Sequence, residues 1–158
     1  MRVFKEIQAF RQWWILLILA ITVIGISIKI YFEISNSNFE IWDIGSFILI
    51  IAFCGLFWNM KLHTKIDAKG ISARFEPFPF FRKNYKWNEI SKCHVRKYSA
   101  LTEYGGWGIR GLGSAKAYNV SGNMGIQIIT KKHEKFLIGT NKPEDARKVI
   151  RRYQEKLQ

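Results

Sequence analysis

The chain has 158 residues, 48% of them apolar, with 25 Lys and Arg against 12 Asp and Glu, a net charge of +13 at pH 7. So basic a chain points to a polyanion as partner: an anionic membrane, a nucleic acid or an acidic protein. Its two cysteines, Cys54 and Cys93, have no CxxC neighbour, which speaks against a disulfide framework or a cysteine-borne zinc or redox centre.

In chain order, residues 1–12 mix Val3, Phe4, Ile7 and Phe10 with charged side chains at a spacing that predicts a short amphipathic helical lead. Residues 13–28 carry no charge, and extended past Lys29 to Ile34 the run reaches 22 residues. A helix rising about 1.5 Å per residue needs about 20 apolar residues to cross a bilayer core. The second run, residues 44–60, is also uncharged and gains length from Phe39, Ile41 and Trp42. Aromatic residues mark the ends of both, Trp13 and Trp14 against Tyr31 and Phe32, then Trp42 against Trp58, about 24 to 26 Å apart at helical rise. Residues 1–60 therefore read as the lead plus a two-span hairpin, and residues 61–158 as one separate domain. A signal peptide does not fit, because a second span follows at once and no small-residue cleavage site intervenes.

Arg2, Lys5 and Arg11 precede the hairpin and Lys61, Lys65 and Lys69 follow it, while Glu33, Glu40 and Asp43 lie between the runs. Basic flanks stay on the cytoplasmic side, so both termini are expected in the cytoplasm and the acidic loop outside. Lys29 is the exception and is expected to snorkel to the outer interface. Thr22, Ser27, Cys54 and Asn59 are among the polar residues of the runs, which hold no acid and no histidine at their centres. They offer no proton or ion relay. Cys54 and Cys93 fall in different phases and are expected to stay reduced.

From Lys61 the period changes to two. Leu62, Thr64 and Ile66 alternate, residues 67–70 form a turn, and Ile71, Ala73 and Phe75 alternate again, a β-hairpin pattern. Pro77 and Pro79 mark an edge or corner. Residues 85–87 and 90–98 read as a third and a fourth strand, the latter with Cys93 and Val95 on one side and Lys92, His94 and Arg96 on the other. Residues 125–130 and 135–140 form a last hairpin. Pro143, Glu144 and Asp145 then open a helix in which Ala146, Val149, Ile150, Tyr153 and Leu157 repeat at helical spacing, opposite Lys148, Arg151, Arg152 and Lys156. The fold class is α+β: antiparallel strands in a roll or partly open barrel, closed by one C-terminal helix.

Residues 61–158 hold 21 Lys and Arg against 8 Asp and Glu, so this part carries the whole net charge of +13. Beside a membrane the nearest polyanion is lipid, although positive-inside bias and solubility would also favour basic residues. Gly106, Gly108 and Gly111 match GxGxxG, but that loop needs a strand before it, a helix N-terminus after it and an acid about 20 residues on. Here glycine and another strand follow, so no nucleotide cofactor is expected. The reading is a glycine-rich connection over residues 104–113, in which Trp107 either plugs the barrel or dips into the lipid interface; the usual burial of Trp favours the plug. His63, His94 and His133 have no zinc or triad spacing. Glu89 and Glu103 lack a partner acid. No catalytic residue, metal or cofactor is expected, and although Lys, Arg and Tyr interleave over residues 92–98, nucleic acid is not expected beside a membrane.

The stretches GGWGIR (105–110), AYNVSGNMGIQI (117–128), LIGT (137–140), KWNEI (86–90) and the helix start KPEDA (142–146) resemble the small bacterial membrane proteins that carry a pleckstrin-homology-like domain. The resemblance covers nearly all of residues 61–158 and, with its two-span anchor, implies the bacterial cytoplasmic membrane. It implies a seven-stranded, strongly bent antiparallel sheet capped by a C-terminal helix, and no reaction. Of the basic residues that mark phosphoinositide binding in such domains, Lys69 and Arg74 are present, but Ser72 holds the intermediate position. The expectation is a non-enzymatic, membrane-anchored module whose basic face, Lys65, Lys69, Arg74, Lys92, His94, Arg96 and Arg110 together with Trp107, contacts anionic lipid headgroups. The alternative is a scaffold or accessory subunit that holds a peptide or membrane-protein partner at a sheet edge or groove.

Overall fold

The computed structural model describes residues 3–37, 40–111 and 115–154. It divides into two units, Phe10–Met60 and the combination of Met1–Ala9 with Lys61–Gln158. Arg2, Phe39, Gly113, Lys156 and Leu157, which figure in the expectations above, lie outside the described residues.

The apolar runs form α1 (Trp13–Ser35) and α2 (Ile41–Asn59), about 34 and 28 Å long at helical rise. Both are long and apolar enough to cross a membrane. Ile18, Ile21 and Ile24 of α1 and Ile48, Leu49 and Phe53 of α2 are exposed, which in water would be costly and in hydrocarbon is not. Lys29 is ion-paired. Its Nζ lies 3.1 Å from Glu33, one turn on, and 2.9 Å from Asp43 at the start of α2. Asp43 also accepts the Glu40 N–H at 3.1 Å, so one carboxylate caps α2 and ties it to α1. At the other end of the pair the Phe10 and Phe57 rings stand 5.1 Å apart and the Arg11 guanidinium lies 5.4 Å from the Trp58 ring centroid.

The lead is not helical. Phe4–Ala9 is a strand, β1, paired antiparallel to β2 (Lys61–Asp67) from Phe4↔Ile66 to Ala9↔Lys61. Phe4, Glu6 and Gln8 point inward while Lys5 and Ile7 point out. Because two of the three inward side chains are polar, the period of two is hidden and the apolar residues alone mimic a helix. The polar ones are bonded across to the second sheet's end: Glu6 accepts hydrogen bonds from Thr140 Oγ1 at 2.6 Å and the Asn141 N–H at 2.8 Å, and Gln8 Nε2 donates to the Gly139 carbonyl at 2.7 Å, while Gln8 Oε1 is buried without a partner. The division between residues 60 and 61 stands, but Met1–Ala9 is grouped with Lys61–Gln158 rather than with the helical hairpin.

β3 (Gly70–Glu76) and β4 (Arg82–Lys86) complete an antiparallel sheet in the order β1-β2-β3-β4. At the β2–β3 turn Asp67 Oδ1 accepts the Lys69 N–H at 2.9 Å, and Gly70 has φ 153° with its α-carbon so close to β4 that a Cβ would stand 2.0 Å from the Tyr85 carbonyl oxygen. β4 begins at Arg82 and stops before Trp87, which enters a single 3-10 turn (Trp87–Glu89) with its ring stacked on Tyr153 at 5.5 Å.

The second sheet holds β5 (Ile90–Lys97), β6 (Gly108–Arg110), β7 (Ala115–Asn119), β8 (Met124–Thr130) and β9 (Lys135–Gly139) in the order β5-β8-β9-β7-β6, with β7 and β9 parallel. A short helix, α3 (Ala100–Tyr104), precedes β6, and α4 (Pro143–Gln154) closes the unit. The described residues thus form nine strands in an α+β fold, against the seven implied by the resemblance, and the second sheet is mixed. The surplus comes from the expected loop of residues 104–113 and the segment after it, which form the β6–β7 pair. Phe75, Tyr118 and Phe136 meet edge to face at 5.4 and 4.9 Å in the core. Ala146, Val149, Ile150 and Tyr153 bury one side of α4, and Gln154 Nε2 donates to the Cys93 carbonyl at 2.6 Å.

A consequence for stability follows from β1. Residues 61–158 made alone lack Glu6 and its two hydrogen bonds, each worth about 1.5–3 kcal/mol when the acceptor is charged. Joining Ala9 to Lys61 through an Asn-Gly turn in place of residues 10–60 restores the strand, and this form should melt about 10 °C or more above the fragment. Circular dichroism melting of the two checks it; equal midpoints would show that β1 adds nothing.

Candidate functional site

Strand alternation sets the site. With Leu62, Thr64, Ile66, Ile71, Ala73 and Phe75 buried on the inner face, the residues between them must face out. Register then aligns them in rows: Lys5, Lys65, Ser72 and Asn84 run side by side across the four strands, and Ile7, His63, Arg74 and Arg82 form the next row. Lys86 lies opposite Gly70, and Lys69 reaches in from the turn. Together they line a hollow of about 650 Å³.

Six Lys and Arg side chains line it: Lys5, Lys65, Lys69, Arg74, Arg82 and Lys86. Asp67 takes Lys65 Nζ at 2.6 Å, and that ammonium holds the carboxyl below its ordinary range. Glu76 at the rim takes Arg74 Nη2 at 2.8 Å and lies 2.9 Å from His63 Nε2. Lys5, Lys69 and Lys86 form no salt bridge among the described residues. Like charges directly opposite each other on neighbouring strands are destabilising. Here Lys5 faces Lys65 and Arg74 faces Arg82. A sheet that keeps such pairs departs from what stability alone would select, as binding sites do. Ammonium and guanidinium groups around a hollow floored by Gly70 and Ser72 suit a phosphate or carboxylate. A smaller hollow of about 320 Å³ shares Lys5 and brings in Lys142, Lys148 and Arg152 beside Asp145, so the basic surface continues onto α4.

The groove gathers three of the eight residues expected from the sequence: Lys65, Lys69 and Arg74. Lys92 and His94 are exposed on β5, in the other sheet. Arg96 is engaged within the fold. Its guanidinium meets Glu103 at 2.6 and 3.2 Å, its Nε donates to Gln127 Oε1 at 3.0 Å, and Glu103 raises its pKa further. Glu103 therefore binds α3 to β5. Trp107 packs against Tyr98, Ala100, Ala117 and Leu137, which is the plug arrangement. Gly106 and Gly108 take φ 127° and 109° to bring it there, a region closed to most side chains. Arg110 Nε donates to the Trp107 carbonyl at 2.7 Å and braces the same loop. The GxGxxG stretch contains β6 itself and the next described element is the strand β7, so among the described residues no helix N-terminus follows it to receive a phosphate. No three His, Cys, Asp or Glu among the described residues gather as a metal site. Cys93 is buried, which pushes its thiol up to about 12.

Lys5, His63, Arg82 and Lys86 are the groove residues that sequence reasoning missed. The spacing of residues 1–12 predicts a helix at Lys5, and the predicted third strand begins at Tyr85, three residues after Arg82 opens β4. A period-two reading that allowed polar inward residues would have recovered both strands. Comparison with protein-family models, curated proteins and solved structures finds no match.

The two roles separate under mutation. Trp107→Ala should lower stability by about 3 kcal/mol, the low end for a large aromatic that is only partly buried. Lys69→Glu with Lys86→Glu should leave the melting midpoint unchanged or raise it, because like-charge repulsion is relieved. Thermal melts of both in detergent decide; a fall with the double variant would make these lysines structural.

Proposed function

We propose that the protein is a non-enzymatic membrane module of the bacterial cytoplasmic membrane, whose basic groove binds the phosphates of anionic lipid headgroups. The groove carries this reading: six cationic side chains on one sheet face, with like charges left opposite each other. α1 and α2 serve as the two spans, with the sheets on the cytoplasmic side, where the basic flanks belong. Only residues 10–12 link β1 to α1, and only Met60 links α2 to β2. Each Lys or Arg near an anionic surface contributes about 1 kcal/mol, so a few suffice once the tether holds them close.

The second unit is proposed to be pleckstrin-homology-like. Setting aside the β6–β7 hairpin, the described strands reduce to a four-stranded meander followed by the antiparallel run β5-β8-β9 and a C-terminal helix. That arrangement supports the seven-stranded plan.

Reconstituted into phosphatidylcholine vesicles containing pyrene-labelled phosphatidylglycerol, the full chain should concentrate the anionic probe around itself, with enrichment that fades as salt rises. Lys69→Glu, Arg74→Glu and Arg82→Glu together should abolish the enrichment. Lys131→Glu with Lys132→Glu, in the β8–β9 turn, should keep it. Energy transfer from the intrinsic tryptophans reads the result, and equal enrichment in all three proteins would remove the lipid reading.

Orientation is tested on intact cells. Cysteine at Asn36 should react with an impermeant maleimide and cysteine at Lys131 should not. The reverse pattern would put the groove on the wrong side for cytoplasmic lipid.

A further inference from the structure

The β3–β4 connection, residues 77–81, reads PFPFF. Phe80 is 87% exposed, more than any other large apolar residue described beyond residue 60, and Phe81 is 37% exposed. The Phe78 and Phe81 rings stand edge to face at 5.8 Å with Phe78 half-buried, so one short loop presents Phe80 and the Phe78–Phe81 pair together. Large apolar clusters left in water mark contact surfaces. The loop is also held firm: the Phe75 N–H donates to the Phe81 carbonyl at 2.9 Å, and the Phe81 N–H to the Phe78 carbonyl at 3.4 Å. Pro77 and Pro79 have no N–H at all, so few backbone donors would be stranded outside water.

Sheet register decides where this tip lies. Ala9 pairs with Lys61 and Lys61 with Glu76, while Arg74 pairs with Arg82. The loop therefore closes the end of the sheet at which the chain departs for α1 and returns from α2. The opposite end carries the turn at Lys69, about 20 Å away at the rise of a strand. Lys61, Arg74, Arg82 and Lys83 flank the loop's base, outnumbering Glu76, which takes Arg74 at 2.8 Å. Aromatic rings ringed by cations are the chemistry of the headgroup–acyl boundary, where the ring leaves water and the cation keeps a phosphate.

We infer that the loop of residues 77–81 is a third membrane contact, in which Phe80 with Phe78 and Phe81 enters the cytoplasmic headgroup–acyl boundary while Arg82 and Lys83 take anionic lipid phosphates. This rests on the reading of α1 and α2 as spans, and it adds an orientation to the groove: the Arg74 and Arg82 row is the end nearest lipid, and Lys69 the end nearest the cytoplasm. An apolar cleft on another protein is the competing occupant, and the experiment contains none.

The full chain is reconstituted into vesicles of phosphatidylcholine and phosphatidylglycerol, with and without lipid carrying a nitroxide on the acyl chain. One environment-sensitive fluorophore is attached in each of three proteins: at native Cys54, at Phe80→Cys and at Lys69→Cys, the last two with Cys54→Ser. Cys93 stays in place because its buried thiol does not react in the folded protein. The expected result is strong quenching with a blue-shifted emission at positions 54 and 80, and water-like emission without quenching at 69. Quenching at 54 with equal signals at 80 and 69 would overturn this inference and leave the spans standing. Loss of quenching at 54 would overturn the spans and the inference with them. Because Phe80 is almost fully exposed, its replacement leaves the fold intact, and Phe80→Ser in the anionic-probe assay should lower enrichment without moving the melting midpoint.

Discussion

Pairing of β1 with β2 is the constraint on which the rest of the molecule depends. The two strands are neighbours in the sheet, with Ala9 opposite Lys61, yet the whole unit Phe10–Met60 lies between them in the chain. A flexible insertion of that length would add loop-closure entropy. An antiparallel pair of helices does not behave as a flexible loop, because its two ends return side by side. The Phe10–Phe57 contact and the Arg11–Trp58 contact hold those ends together, and the Lys29–Asp43 bond holds the far ones. The helical pair thus serves β1 and β2 as a long, stiff turn.

From that pairing the groove follows. β1 contributes Lys5 to a face that already holds Lys65 and the residues of β3 and β4, so the outermost strand converts a basic patch into a lined hollow. The same strand sends Glu6 and Gln8 inward to the β9–α4 junction, where they meet Thr140, Asn141 and Gly139. One short segment therefore braces the second sheet with its inner side chains and charges the groove with its outer ones. Its two faces are chemically mixed: Glu6 and Gln8 lie inside beside Phe4, and Ile7 lies outside beside Lys5.

Electrostatics in the groove are only partly balanced. Asp67 and Glu76 quiet Lys65 and Arg74, while Lys5, Lys69 and Lys86 are left to solvent and its counterions. Arg96 shows the contrast. Among the basic residues of β5 it is the one drawn into the fold, by a two-pronged contact with Glu103 and by Gln127. A basic residue count over residues 61–158 treats the two situations alike, and only the positions of the carboxylates separate a structural cation from one open to a ligand.

What the sequence determined by itself was whatever is written in runs and strict periods. Two long uncharged stretches can only be helices of that length, the alternation over residues 62–66 and 71–75 specifies β2 and β3, and Ala146, Val149, Ile150 and Tyr153 specify the buried side of α4. What the tertiary structure alone decided were the elements whose partners lie far along the chain. β1 is a strand because Lys61–Asp67 lies beside it and because residues 139–141 bond to Glu6 and Gln8 on its inner face. β6 and β7 are strands because β9 offers a parallel edge to the segment after the glycines. Grouping Lys5, Lys65, Lys69, Arg74, Arg82 and Lys86 in one hollow required register, and register is set by which distant side chains can share a core. Local periodicity records how one segment faces its surroundings, whereas those surroundings are made of other segments, so the site became visible only when the strands were laid side by side.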